Sequence, residues 1–180
     1  MQRIFACEVT PEEYAREEGH RHVARESVCP NCGQAASLHR HGTYSRWITN
    51  LAGMLLAILI ARFRCWKCGR TVSYLPSFAL SYRLLHARIV QAWLDGERDR
   101  LEILRWAAHL RGYERRAQAF APTVVRVVGH GLGLPPPSPS RLWPWLKGAC
   151  GGLEPATRQL VALFKITLFH RYQCHQPTRL

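Results

Sequence analysis

Apolar and polar positions alternate differently in the two halves of the chain. Leu38–Ile48 (LHRHGTYSRWI) sets aromatic and β-branched residues among polar ones, Met54–Phe63 (MLLAILIARF) is almost unbroken apolar sequence, and Arg70–Tyr74 (RTVSY) is short and rich in strand formers. Such runs predict three strands. Periodicity alone does not separate helix from strand for the second run, but its place directly before a cysteine-containing turn favours a strand. From Tyr82 the period lengthens. Leu85, Ile89 and Trp93 fall on one face of a helix over 82–94, with Ser81 as its N-cap and Gly96 as its stop. Leu101, Leu104 and Ala108 repeat the pattern over 98–110, where Arg98 and Glu102 are spaced to pair and Gly112 closes the helix. A third helix is predicted over 113–128, broken or restarted at Pro122. Three short helices in this order suit a helix-turn-helix or a plain packing unit.

The remaining stretches complete an α+β fold. Residues 1–26 form an acidic N-terminal segment, 27–80 a small β ribbon, and 81–130 the helical part. Residues 131–152, rich in Pro and Gly, read as an extended linker. Residues 153–180 hold a C-terminal amphipathic helix whose stripe, Leu160, Leu163, Phe164 and Leu168, either docks on the earlier helices or mediates self-association.

Charge changes this picture toward function. The chain has 180 residues, 25 Lys and Arg against 12 Asp and Glu, and a formal net charge of +13. The excess lies in two blocks: 27–94 contains no carboxylate and eight basic residues, and 115–180 contains nine bases and one acid, Glu154. Unneutralised like charges repel, so this balance predicts a polyanionic partner, most simply nucleic acid. The candidate contacts are Arg40, Arg46, Arg62, Arg64, Lys67, Arg70, Arg83 and Arg88 in the first block, and Arg115, Arg116 and Arg126 in the third predicted helix, which would serve as a recognition helix. Tyr44, Trp47, Trp66 and Tyr74 interleave with these bases and could stack on unpaired nucleotides. The longest apolar run, Leu51–Ala61, is well short of the roughly 20 residues a membrane span needs, and no signal-peptide pattern opens the sequence. The expectation is a soluble cytoplasmic protein with reduced thiols and no membrane partner.

Four of the seven cysteines form two CxxCG motifs, Cys29-Pro-Asn-Cys32-Gly33 and Cys65-Trp-Lys-Cys68-Gly69. Two thiolates from one tight turn grip one side of a tetrahedral ion, and a second such turn supplies the other side. The predicted cofactor is therefore one structural Zn2+ on Cys29, Cys32, Cys65 and Cys68. Four cysteines fill every position of the ion, so no water is left on it for catalysis. His39 and His41 lie close by and are substitutes as ligands, though exposed strand positions near phosphate suit them better. Cys7, Cys150 and Cys174 are irregularly spaced and read as free thiols.

The stretches CPNCG, HRHGTYSRW and RFRCWKCGRTVSYLPSFALSYR resemble the N-terminal zinc ribbon of bacterial insertion-sequence transposases, and most of all a family of short bacterial proteins, known only as a domain of unknown function, in which a ribbon precedes a helical segment. The resemblance spans about residues 20–95. In the transposases the ribbon helps bind element ends and a later domain cuts DNA, so the resemblance implies binding to double-stranded DNA. It implies nothing about cutting. Asp95, Asp99 and Glu102 are crowded into one apparent helix and read as a salt-bridged surface rather than a nuclease centre; no glycine-rich nucleotide loop, HExxH or GxSxG motif occurs. The expectation is a non-enzymatic zinc-ribbon DNA-binding protein, an accessory factor or a truncated transposase. The alternatives are a zinc-stabilised adaptor that binds a protein such as a transposase, and a binder of single-stranded RNA.

Overall fold

The computed structural model describes residues 1–132 and 137–171. It has an α+β architecture: β1 (Gln2–Phe5), α1 (Pro11–Arg16), β2 (Leu38–Thr49), β3 (Leu55–Cys65), β4 (Thr71–Pro76), α2 (Ala87–Leu94), α3 (Leu101–Leu132), α4 (Leu142–Cys150) and α5 (Leu153–Gln159), with a π-helical turn at Leu160–Phe164. The four strands lie in the order β1-β4-β3-β2. β2, β3 and β4 form an antiparallel meander, and β1 adds to the far edge parallel to β4.

The three ribbon strands follow the predicted runs. Their two faces are covered at opposite ends, which explains the broken alternation of β3. Ile58 and Ile60 pack with Tyr14, Ile48, Leu75 and Phe78, whereas Ala61, Phe63 and Cys65 pack the other way with Val23, Leu38, Val72 and Tyr74. A β-bulge between Arg40 and Gly42 shifts the β2 register midway. The acidic N-terminus is structured. Thr10 and Glu13 close a capping box on α1, with Pro11 in its first turn, and Tyr14 then buries its ring against Phe78.

The helical half departs from the pattern in four ways. α2 starts at Ala87, capped by His86 Nδ1 accepting from the Arg88 amide, and not by Ser81. α3 runs unbroken through Gly112 and Pro122, so the turn a helix-turn-helix needs does not form. Its buried stripe is Ile103, Leu110, Tyr113, Ala117, Ala121, Val124 and Val128, while the predicted Leu101 and Leu104 are 82% and 59% exposed. Tertiary burial of that long stripe outweighs the local cost of one glycine and one proline. Arg98 does not pair with Glu102; it donates to the Trp93 carbonyl and lies over the Trp93 ring, and Arg100 holds Glu97 and Glu102 instead.

The predicted linker contains a helix, α4, whose Leu142 and Leu146 are buried in the helical core; residues 133–136 lie outside the described part. The predicted C-terminal helix is shorter than expected: helical structure ends at Phe164, where Lys165 turns left-handed, and Leu168 lies beyond it. Leu160 and Leu168 nevertheless dock on the helical core, leaving Leu163 exposed; residues 172–180, with Cys174, lie outside the described residues. Cys7 and Cys150 are free thiols. Among the described residues no helix is long and apolar enough to cross a membrane.

Candidate metal centre

Both CxxCG motifs fold into the same knuckle. In the first, the Cys29 amide donates to Gln34 and the Gly33 amide returns to Cys29; in the second, Cys65 donates to Arg70 and Gly69 returns to Cys65. Gly33 and Gly69 sit at φ +74° and +68°, a left-handed conformation that closes the turn without a Cβ clash. The first knuckle precedes β2 and the second joins β3 to β4. Pairing of Leu38 with Cys65 in the β2–β3 ladder therefore carries one knuckle onto the other.

The four sulfurs converge. Cys29 and Cys68 Sγ lie 3.9 Å apart, Cys32 and Cys65 Sγ 3.7 Å apart, and all four lie within 4.8 Å of one another. Sulfurs each about 2.3 Å from a tetrahedral zinc stand about 3.8 Å apart, so the cluster has the dimensions of a Zn(Cys)4 site. His39 and His41 are not part of it. Cys29 and Cys65 are buried and Cys32 is exposed, so one edge of the site meets solvent.

Polar neighbours favour thiolates here. The Ser37 hydroxyl lies 3.2 Å from Cys65 Sγ, the Cys68 amide donates to the same sulfur, and Asn31 Nδ2 donates to Cys68 Sγ at 3.4 Å. Burial pushes the Cys65 thiol up, but its hydrogen bonds with Ser37, the Cys68 amide and the adjoining thiols outweigh it and bring it down to about 6. The Gln34 backbone bond lowers Cys32, yet desolvation and the three neighbouring sulfurs prevail and raise it. Four thiols this close cannot all ionise alone; a divalent cation removes that conflict and binds with release of protons.

The predicted cationic residues divide by location. Arg40 donates to the His20 and Arg21 carbonyls and covers the Phe63 ring; Arg46 donates to the Leu80 and Arg83 carbonyls; Arg83 is buried over the Tyr113 and Phe169 rings. These three are built into the fold. Arg88 faces Glu154 at 3.8 Å. Arg62 and Arg64 share one face of β3 beside the knuckles, paired across the ladder with Gly42 and His39, and Arg64 and Lys67 are exposed. Arg115, Arg116 and Arg126 are exposed on α3. Of the aromatic residues, Tyr74 is buried and Tyr44 half-buried, while Trp47 and Trp66 remain open, at opposite ends of the hairpin. Asp95, Asp99 and Glu102 do not share a helix: Asp95 caps the end of α2 and is held by Lys147 and the Trp143 indole, Asp99 lies in the connection to α3, and Glu102 pairs with Arg100 in the first turn of α3. Sequence reasoning missed Ser37 and Asn31, which only the meeting of the knuckles brings to the sulfurs.

Fold and site together define a four-cysteine β ribbon joined to a helical half. One protein family, described as a domain of unknown function (DUF6431), matches residues 29–106. That stretch opens on Cys29, the first cysteine of the cluster, and closes on Trp106, whose indole donates to the Gly53 carbonyl and seats α3 against the β2–β3 turn. No curated protein and no solved structure matches the chain.

Proposed function

We propose that the protein is a zinc-ribbon DNA-binding protein without catalytic activity, an accessory factor or remnant of a transposition system. The observation that carries this reading is the sulfur cluster beside a cationic strip: Arg62, Arg64, Lys67 and Arg70 flank the second knuckle, Arg64 and Lys67 exposed and Arg62 and Arg70 half-buried, in a segment of 68 residues without a carboxylate. A closed Zn(Cys)4 site is a folding element; it would fix those guanidinium and ammonium groups at phosphate-binding positions. If these four cations each neutralise one phosphate, duplex affinity falls with salt at a log–log slope of about −4. Fluorescence anisotropy on a labelled duplex across a salt series measures it. No binding at low salt would overturn the reading, and Arg64→Gln should reduce the slope by about one.

A second reading has its own observation. Trp47 and Leu59 on one face of the hairpin, and Leu101 and Leu104 on α3, are large apolar side chains left exposed. They favour a zinc-stabilised protein adaptor. Indifference to every nucleic acid, with stoichiometric capture of a defined transposase, would select it.

A further inference from the structure

The turn at Leu80–Arg83 links the sheet to α2. Arg83 N donates to the Leu80 carbonyl, and the third residue, Tyr82, has φ +55°, the sign a type II turn requires at that position. Glycine or asparagine normally stands there, because a β-carbon is strained in the left-handed region. Here the residue is a tyrosine, and it is 60% exposed. The strain is held by the surroundings: Arg46 reaches from β2 to the Leu80 and Arg83 carbonyls on both sides of Tyr82, Arg83 Nη1 donates to the Tyr82 carbonyl, and the His170 ring meets the Tyr82 ring at 5.4 Å. A large aromatic left more than half exposed on a strained turn is a costly arrangement, and its contact with His170 covers only part of it.

The charge around it is of one sign. Arg83 is buried with its Nε lacking any partner, and its charged neighbours are Arg116 and Arg46. Arg116 follows Tyr113 by three positions on α3, so it stands on the side of the helix that carries the Arg83–Tyr113 contact. It makes no hydrogen bond or ion pair among the described residues. Burial, then the like charges of Arg116 and Arg46, push the Arg83 guanidinium down from its ordinary value. An anion arriving here relieves that repulsion. The turn also continues the cationic face of the sheet: Arg46 lies four residues beyond Gly42, the partner of Arg62, or about 13 Å along β2.

We propose that the Leu80–Arg83 turn is a second nucleic-acid contact, in which Tyr82 stacks on one unpaired base and Arg116 takes the adjoining phosphate. This rests on the nucleic-acid reading above and adds its substrate: a duplex that carries a single-stranded extension. Arg46 is the positioning residue of the turn.

Anisotropy on a blunt duplex and on the same duplex with a short single-stranded extension tests it. The wild-type protein should prefer the extended form by about tenfold. Tyr82→Gly relieves the backbone strain, so its melting temperature should hold or rise, while the preference disappears and blunt-duplex affinity is kept. Arg116→Gln should weaken binding to the extended form and reduce its salt slope by about one relative to wild type. Equal wild-type affinity for the two duplexes overturns this proposal and leaves the DNA reading standing; no affinity for either overturns both. A Tyr82→Gly protein that keeps the preference, or one that melts well below wild type, shows the tyrosine to be merely structural.

Discussion

Single side chains decide how this fold responds to acid and to metal. His86 is stacked on Phe78, and burial pulls its imidazole down to about 4. Neutral, its Nδ1 can accept from the Arg88 amide and cap α2. In the unfolded chain the same group protonates near 6.5, so the unfolded state binds more protons between those values. The stability His86 contributes is therefore present above pH 6.5 and is lost as pH falls toward 4, on the order of 3 kcal/mol in all. His86→Asn, which keeps a cap acceptor but does not titrate, should flatten the difference in chemical denaturation midpoints over that window. Ser37 stands beside the candidate metal site. Ser37→Ala removes the hydroxyl beside Cys65 Sγ, and chelator competition should show zinc affinity lowered by about 10- to 100-fold with the knuckles otherwise intact. A readout unchanged from wild type would mean that the hydroxyl serves only the Gln34 carbonyl, 2.9 Å away.

At the scale of elements, the difference between what could be read and what could not follows from sequence distance. β2, β3, β4 and both knuckles are local patterns, and they stand where alternation and CxxCG spacing put them. β1 was invisible: four residues, QRIF, gain their meaning only from pairing with Ser73–Pro76 some 70 positions away. Arg46 and Arg83 looked like surface charge because their partners, carbonyl groups and aromatic faces, belong to other elements. Gly112 and Pro122 looked like punctuation, yet α3 passes through both because a seven-residue stripe is buried along its length. That continuity makes a prediction. Gly112 has helical backbone geometry and nothing within 4 Å of an added Cβ. Gly112→Ala should therefore stabilise the protein by about 0.5–1 kcal/mol, raising the melting temperature by about 2 °C. A loss of stability would show that the glycine marks a break in the helix after all.

For the whole molecule, the candidate metal site and the apolar core lie at different ends of the fold. The helical half has a large apolar core built from α2, α3, α4 and the C-terminal segment, whereas the knuckle end rests on a small cluster that includes Cys29 and Cys65 themselves. A structural zinc contributes about 10 kcal/mol or more to such a module, comparable to the full stability of a typical domain. Chelation should thus unfold the ribbon end while α2–α5 keep most of their helical signal in circular dichroism. The cationic strip on β3 would lose its fixed geometry at the same time, so on the proposed function any nucleic-acid binding should fall with metal content. The most direct test is the zinc content of the purified chain by native mass spectrometry, set beside a Cys29→Ser/Cys65→Ser double variant. One zinc per chain, lost in the variant together with the knuckle fold, is the result expected; a wild-type chain that is metal-free yet fully folded would contradict the account.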